Sequence, residues 1–283
     1  MTNIVTLLVF ANQLTNLNLP ANLSQLSSLD LHGNRLRSLT LPAGLTRFLS
    51  LNLSQNLFAS FSLPSNLTSL GFLDLSFNGA TNVSLPGGLT NLAFLDLFEN
   101  TLTSFTLPGG LTALTNLDLG VNQLTSFTVP ADATNLTTLS LFRNQLTNVS
   151  LSPGLRKLEL LGLSFNQLRS LDLPSGLTAL AFLNLNNNQL TNVTLPPDMQ
   201  QLIGLFMADN PLTTFVLSEP LAATGWPASL TLFGLKASPC SLTRWSRSWS
   251  SHWRWSARSN SESPDRRAST RSLAPRILRR GAR

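Results

Sequence analysis

Leu117-Asp118-Leu119-Gly120-Val121-Asn122-Gln123-Leu124 decides the fold of this 283-residue chain. Its first three residues alternate apolar, polar and apolar, as in a short strand with one face buried. Asn122 is one of ten asparagines, Asn12, Asn34, Asn56, Asn78, Asn100, Asn122, Asn144, Asn166, Asn188 and Asn210, spaced by 22 residues without insertion or deletion. Similar wording surrounds each of them, as in Leu29-Asp30-Leu31-His32-Gly33-Asn34-Arg35-Leu36. With the asparagine as position zero, apolar residues recur at −5, −3, +2, +5, +7, +11 and +14. A fixed period of this length is the mark of a stacked repeat.

Positions +3 to +8, such as Thr103-Ser104-Phe105-Thr106-Leu107-Pro108, alternate again and predict a second short extended segment. Proline closes most units at Pro20, Pro42, Pro64, Pro86, Pro108, Pro130, Pro174 and Pro196. Two residues past the closing position stand Asn22, Gly44, Asn66, Gly88, Gly110, Asp132, Gly154, Gly176 and Asp198. These types tolerate positive φ, so a tight turn with a left-handed residue is expected there. Turn signals recur too often for a long helix. A unit with seven apolar positions cannot bury them alone. Stacking about ten such coils at ~4.8 Å gives a curved rod of roughly 45–50 Å with one continuous core, and crossover chirality favours a right-handed coil.

The pattern Leu-x-x-Leu-x-Leu-x-x-Asn-x-Leu resembles the leucine-rich repeat family over residues 1–217, and Leu-Pro-x-Gly-Leu looks like its bacterial, internalin-like variety. The resemblance implies a β-rich right-handed solenoid of about ten 22-residue coils, an α/β-type horseshoe or arc. Its parallel sheet would line the concave face, with short extended or 3-10 segments on the convex face. It also implies that the ten asparagines form a hydrogen-bonded ladder between coils, that the concave face recognises a protein or cell-surface ligand, and that the protein acts on or outside a bacterial cell. The cysteine-rich caps of extracellular animal members have no counterpart in this sequence.

Position −4 points out of the expected strand face and places Asp74, Asp96 and Asp118 on consecutive coils. Carboxylates about 5 Å apart repel, which favours a cation, a basic partner or raised pKa values. Positions −2 and −1 add Phe77, Phe98, Phe142 and Phe165, with Arg143 and Glu99 among them. Exposed aromatics beside charge are the material of protein-binding hot spots. Asp74, Asp96, Asp118, Phe77, Phe98, Phe142, Arg143 and Phe165 are therefore the candidate ligand face. The same aspartates also follow from duplication of a Leu-Asp-Leu template, and the phenylalanines from edge packing between coils.

Sixty-four leucines against thirteen acidic residues, two histidines, one cysteine and no tyrosine are not the composition of an ordinary enzyme domain. One cysteine cannot build a disulfide framework or a cysteine zinc site. His32, His252 and Cys240 make no recognisable nucleophile pair, and neither a phosphate loop nor a His-Glu metal spacing occurs. No catalytic residue, metal or cofactor is implied. The glycosylation sequons at Asn22, Asn52, Asn66, Asn82, Asn135, Asn148 and Asn192 are template wording.

The apolar run at residues 4–11 fits the repeat register and reads as the first coil's strand rather than a signal peptide. A stack that starts inside a repeat exposes its core, so a fragment of a longer repeat protein, or self-association through an uncapped end, is expected. The register fails after Leu217, residues 218–235 hold a degenerate last repeat, and residues 236–283 carry twelve basic and two acidic side chains with Trp245, Trp249, Trp253 and Trp255. This segment reads as out-of-frame translation, as a disordered tail, or as a basic arm for anionic membrane or nucleic acid. Residues 1–235 hold seven basic and eleven acidic side chains, so the formal charge of +6 conceals a mildly acidic solenoid. Three functions remain: a non-catalytic protein-binding scaffold, a fragment of a bacterial repeat effector or enzyme whose catalytic domain is absent, and membrane or nucleic-acid binding through the tail.

Overall fold

The computed structural model describes residues 3–218 and, beyond them, the backbone of three short strands. Ten strands of three residues follow the 22-residue period, from Thr6–Leu8 through Ser28–Asp30 and Asn116–Asp118 to Gly204–Phe206. Each pairs in parallel with the next, and the strand leucines face one another in register: Leu7 with Leu29, Leu95 with Leu117, Leu183 with Leu205. An eleventh strand, Thr231–Phe233, joins this long sheet after a wider interval, with Leu232 opposite Leu205. The chain is thus a solenoid of stacked coils, numbered 1 to 10 here by their asparagines from Asn12 to Asn210.

The side away from the long sheet is extended segments and turns. Six coils form a strand there, and these pair within three small sheets: Ser60–Ser62 with Asn82–Ser84, Ser126–Thr128 with Asn148–Ser150, and Asn192–Leu195 with Thr214–Ser218. The last is extended by His252–Ser256, antiparallel to Thr214–Ser218, and by Ser246–Arg247. No α-helix or 3-10 segment occurs among the described residues, so of the two outer-face geometries expected the extended one is realised. The expectations on Cys240, Trp245 and Trp249 lie outside the described residues.

Between the two sides runs one core. In coil 6 all seven apolar positions, Leu117, Leu119, Leu124, Phe127, Val129, Ala133 and Leu136, are buried. In coil 1, the first of the described stack, Leu7, Val9, Leu14, Leu17 and Leu19 are only partly buried, while Leu23 and Leu26 are buried.

The asparagines bind the coils together by one repeated pattern. Asn122 Nδ2 donates to the carbonyl of Leu119 in its own coil (3.1 Å) and to that of Leu97 in the preceding coil (2.9 Å). Its Oδ1 accepts the backbone N–H of Leu102, also in the preceding coil, at 3.0 Å. The same acceptor bond recurs from Leu14 to Asn34 (3.0 Å) through Leu190 to Asn210 (3.0 Å). These bonds satisfy backbone groups that the strands leave unpaired, with asparagines that are buried from Asn34 to Asn188. Burial without such partners would be costly. Asn12, in the first described coil, is exposed, and its amide group donates to Phe10 and Val9 of its own coil.

The turn expectation needs correction. Of the residues placed in left-handed conformation, Gly88, Gly110 and Gly176 have positive φ, whereas Asn22, Gly44, Asn66, Asp132, Gly154 and Asp198 do not. Asp132 and Asp198 instead use Oδ2 to accept the backbone N–H of Gly110 and Gly176 one coil earlier. The left-handed residue common to the coils is the one just before the asparagine: Ala11, Gly33, Gln55, Phe77, Glu99, Val121, Arg143, Phe165, Asn187 and Asp209. The kink there has a cause. It turns two successive N–H groups towards the next coil, as Val121 N bonds Phe142 O (2.8 Å) and Asn122 N bonds Arg143 O (3.2 Å), while the asparagine side chain swings inward. Val121, at φ 52°, is β-branched and poorly suited to that region.

Three substitutions test the ladder and the kink. Asn122→Ala strips the Leu102 N–H of its acceptor and lowers stability by about 3 kcal/mol, whereas Asn12→Ala costs under about 1 kcal/mol; urea midpoints at constant slope measure both. Val121→Asn, the residue coil 9 uses at the same place, raises stability by about 1 kcal/mol in the same titration.

Candidate ligand-binding face

On a strand, alternate side chains share a face at about 6.8 Å spacing. The long sheet therefore presents three columns outward, at positions −6, −4 and −2. The −4 column places Asp74, Asp96 and Asp118 on adjacent paired strands, directly opposite one another. The −2 column brings Phe98 and Phe142 to a centroid separation of 5.8 Å although coil 6 lies between them. Gly120 makes this possible: a Cβ there would sit 2.6 Å from the Phe142 ring, which leans over the glycine. Phe77, on the left-handed kink of coil 4, meets Phe98 edge-on at 5.1 Å. Phe165 is exposed on its own kink, as is Arg143, and neither joins this aromatic group among the ring contacts found.

Reading each strand only from its first leucine missed the −6 column. There Phe72 and Phe94 stack at 4.7 Å, nearly parallel, and Leu160 and Phe182 lie exposed further along. The signal was present as an apolar residue just before Leu-x-Leu, at a position that faces out. Asp96 thus lies between aromatic residues on both sides of its own strand, Phe94 and Phe98.

The aspartates also serve the backbone. Oδ1 of Asp96 accepts the N–H of Phe98 at 2.8 Å, and Oδ1 of Asp118 that of Gly120 at 2.7 Å. Asp74 bonds both the N–H and the hydroxyl of Ser76, and Asp30 the N–H and ring Nδ1 of His32. Asn52 and Asn184 make the same backbone bond with an uncharged side chain. Such local bonds cap the N–H two residues on, so the repeat uses a carboxyl or carboxamide here for structure, and the charge is surplus to that role.

Burial on the sheet face pushes the Asp96 carboxyl up to about 6, against the pull of its bond from Phe98 and with help from the charges of Asp74 and Asp118. Burial raises Asp118 as well, opposed by its bonds from Gly120 and Ser140. Among the described residues no group of histidine, cysteine, aspartate or glutamate side chains could hold a metal ion, and no helix is long and apolar enough to cross a membrane.

A carboxyl with a raised pKa in the folded state holds its proton more tightly there than in the unfolded chain. Its contribution is therefore fully favourable below the unfolded value near 3.8 and is lost as pH rises through about 6. Asp96→Asn keeps the bond to Phe98 and removes the ionisation. The variant has a higher urea midpoint than the parent at pH 7.5 and a flatter stability profile between pH 4 and 6.5. The parent's slope stays well under ~1.4 kcal/mol per pH unit, because the carboxyl is partly open to solvent.

The description BspA type leucine rich repeat region matches residues 9–119 and 119–224, in six copies. No curated protein matches the sequence. Among solved structures, TLR13 in its complex with ssRNA13 is 30% identical, with a TM-score of 0.53 over 65% of this chain and 29% of that one. A TDR receptor is 29% identical, with a TM-score of 0.52 over 68% and 37%. YopM, a leucine-rich effector protein from Yersinia pestis, is 24% identical with a TM-score of 0.56 over 76% and 63%, and shares the fold. The chain spans less than two thirds of each of these. The repeat match covers most of the sequence and coincides with the stacked coils, so this chain belongs to the leucine-rich repeat family, of the BspA type.

Proposed function

We propose that the protein is a non-catalytic scaffold that binds another protein through the outward face of its long sheet. One observation carries the reading: aromatic side chains are gathered on that face over coils 4 to 7, in the Phe72–Phe94 stack and the Phe77–Phe98–Phe142 run. Buried phenylalanine is ordinary in a solenoid core, but rings grouped on the open face of a sheet are available to a partner. The stack beneath them is rigid, held by a ladder bond at every coil junction from Asn34 to Asn210. A binding surface on such a base loses little entropy on association. The acidic balance of residues 1–235 favours a protein over a polyanion on this face.

A photo-crosslinking residue placed at Phe98, compared with one at exposed Thr90 on a turn, tests the face. Incubated with a mixed protein extract, the full chain forms discrete adducts from position 98 and not from position 90. Replacing Phe72, Phe77, Phe94 and Phe142 with serine removes them. Equal labelling from both positions overturns the reading.

A further inference from the structure

The strip of the sheet face along the −4 column, flanked by the −6 and −2 columns and called the trough below, narrows by its chemistry what the face accepts, on the footing that the sheet face is the binding surface. Its walls and floor differ in kind. The walls are rings: Phe94 with stacked Phe72 on one side, Phe98 with Phe142 leaning over Gly120 on the other. The floor is the carboxylate row at position −4, whose strands lie about 4.8 Å apart. Asp96 spends Oδ1 on the Phe98 N–H, and its other oxygen has no protein partner among the described residues. Asp30, on coil 2 of the same column, is hydrogen-bonded to the ring Nδ1 of His32 at 2.7 Å; no salt bridge reaches Asp74, Asp96 or Asp118 among the described residues.

We propose that this trough takes an arginine side chain of an extended protein segment, with the guanidinium between Phe94 and Phe98 and directed at Asp96 and Asp118. Three features of a guanidinium match the site. It is planar, so its faces fit against aromatic rings, and cation–π attraction rewards that contact. Its fork of N–H donors spans two acceptors, as adjacent carboxylates on paired strands present them. Its charge is fixed, so it offsets carboxylates that the sheet face holds in a poorly solvated place. An ammonium supplies the charge without the plane or the fork. An extended segment can lie across several coils because the columns run straight down the stack, without the insertions that would offset one coil from the next.

The test uses the full-length chain and four fluorescently labelled probes: octa-arginine, octa-lysine, octa-glutamate and a single-stranded RNA of 20 nucleotides. Binding is read by anisotropy in 150 mM salt. Octa-arginine binds at least tenfold more tightly than octa-lysine, and any octa-glutamate binding, which only the basic residues 236–283 attract, is unchanged by the substitutions below. The combined variant Asp74→Asn, Asp96→Asn and Asp118→Asn loses octa-arginine at least tenfold. It keeps the backbone bonds that Asn52 and Asn184 make naturally, so its unfolding midpoint is no lower than the parent's. Phe94→Ser with Phe98→Ser reduces the arginine preference over lysine to less than threefold.

Equal affinity for arginine and lysine, or undiminished octa-arginine binding by the asparagine variant, overturns the proposal. So does RNA competing octa-arginine from the trough by binding there itself. Adducts at position 98 from an extract combined with no arginine preference would sink this inference and leave the protein-binding scaffold standing. Absence of adducts from position 98 in the parent chain, or equal labelling from position 90, would remove the scaffold reading.

Discussion

Everything in this molecule depends on a buried carboxamide that faces two coils at once. A leucine core alone is indifferent to a slip of one coil against another, since one buried leucine is much like the next. The asparagine is not indifferent. Its Oδ1 must find one N–H and its Nδ2 two carbonyls at fixed places, as Asn122 does with Leu102, Leu97 and Leu119. Missing them leaves polar groups dry and unpaired, a larger penalty than the net worth of the bonds. Register is therefore specified by polar satisfaction, while the bulk of stability comes from apolar burial. The constant interval from Asn12 to Asn210 is the sequence-level record of that constraint.

Fixed register has a consequence for the surface. When coils stack without offset, equivalent outward positions fall into straight columns, and a single residue choice is repeated at ~4.8 Å. That is how three carboxylates come to lie side by side, and how Phe142 can reach Phe98 across Gly120. The structural work of the −4 residue is the cap on the N–H two residues later, for which Asn52 serves as well as Asp74. Charge at that position therefore varies without harm to the coil. The sheet face can diversify over a scaffold that stays the same.

The architecture was legible from the sequence because a period of 22 with seven apolar positions admits few packings. The buried residues of coil 6 are the seven that the pattern marks. The left-handed kink was not legible, because Phe77, Glu99, Val121 and Arg143 carry none of the local preferences that announce positive φ. Tertiary hydrogen bonds impose it on whatever residue stands there. Of the candidate ligand face, the aspartate column and the place of Phe98 and Phe142 in one outward column could be read by counting from the asparagine, but not the contact of those two rings across Gly120. The Phe72–Phe94 stack could not, because a strand read as Leu-x-Leu hides the outward residue that precedes it. The second role of the aspartates as backbone caps depends on local geometry that spacing does not reveal.

The ladder also has a direction. Each asparagine from Asn34 to Asn210 reaches back to the coil before it, so the donor at Leu36 is satisfied by Asn56 and that at Leu102 by Asn122, one repeat later in the chain. A coil emerging during synthesis carries an open polar position until its successor arrives. Each coil is therefore complete only once the repeat that follows it is in place.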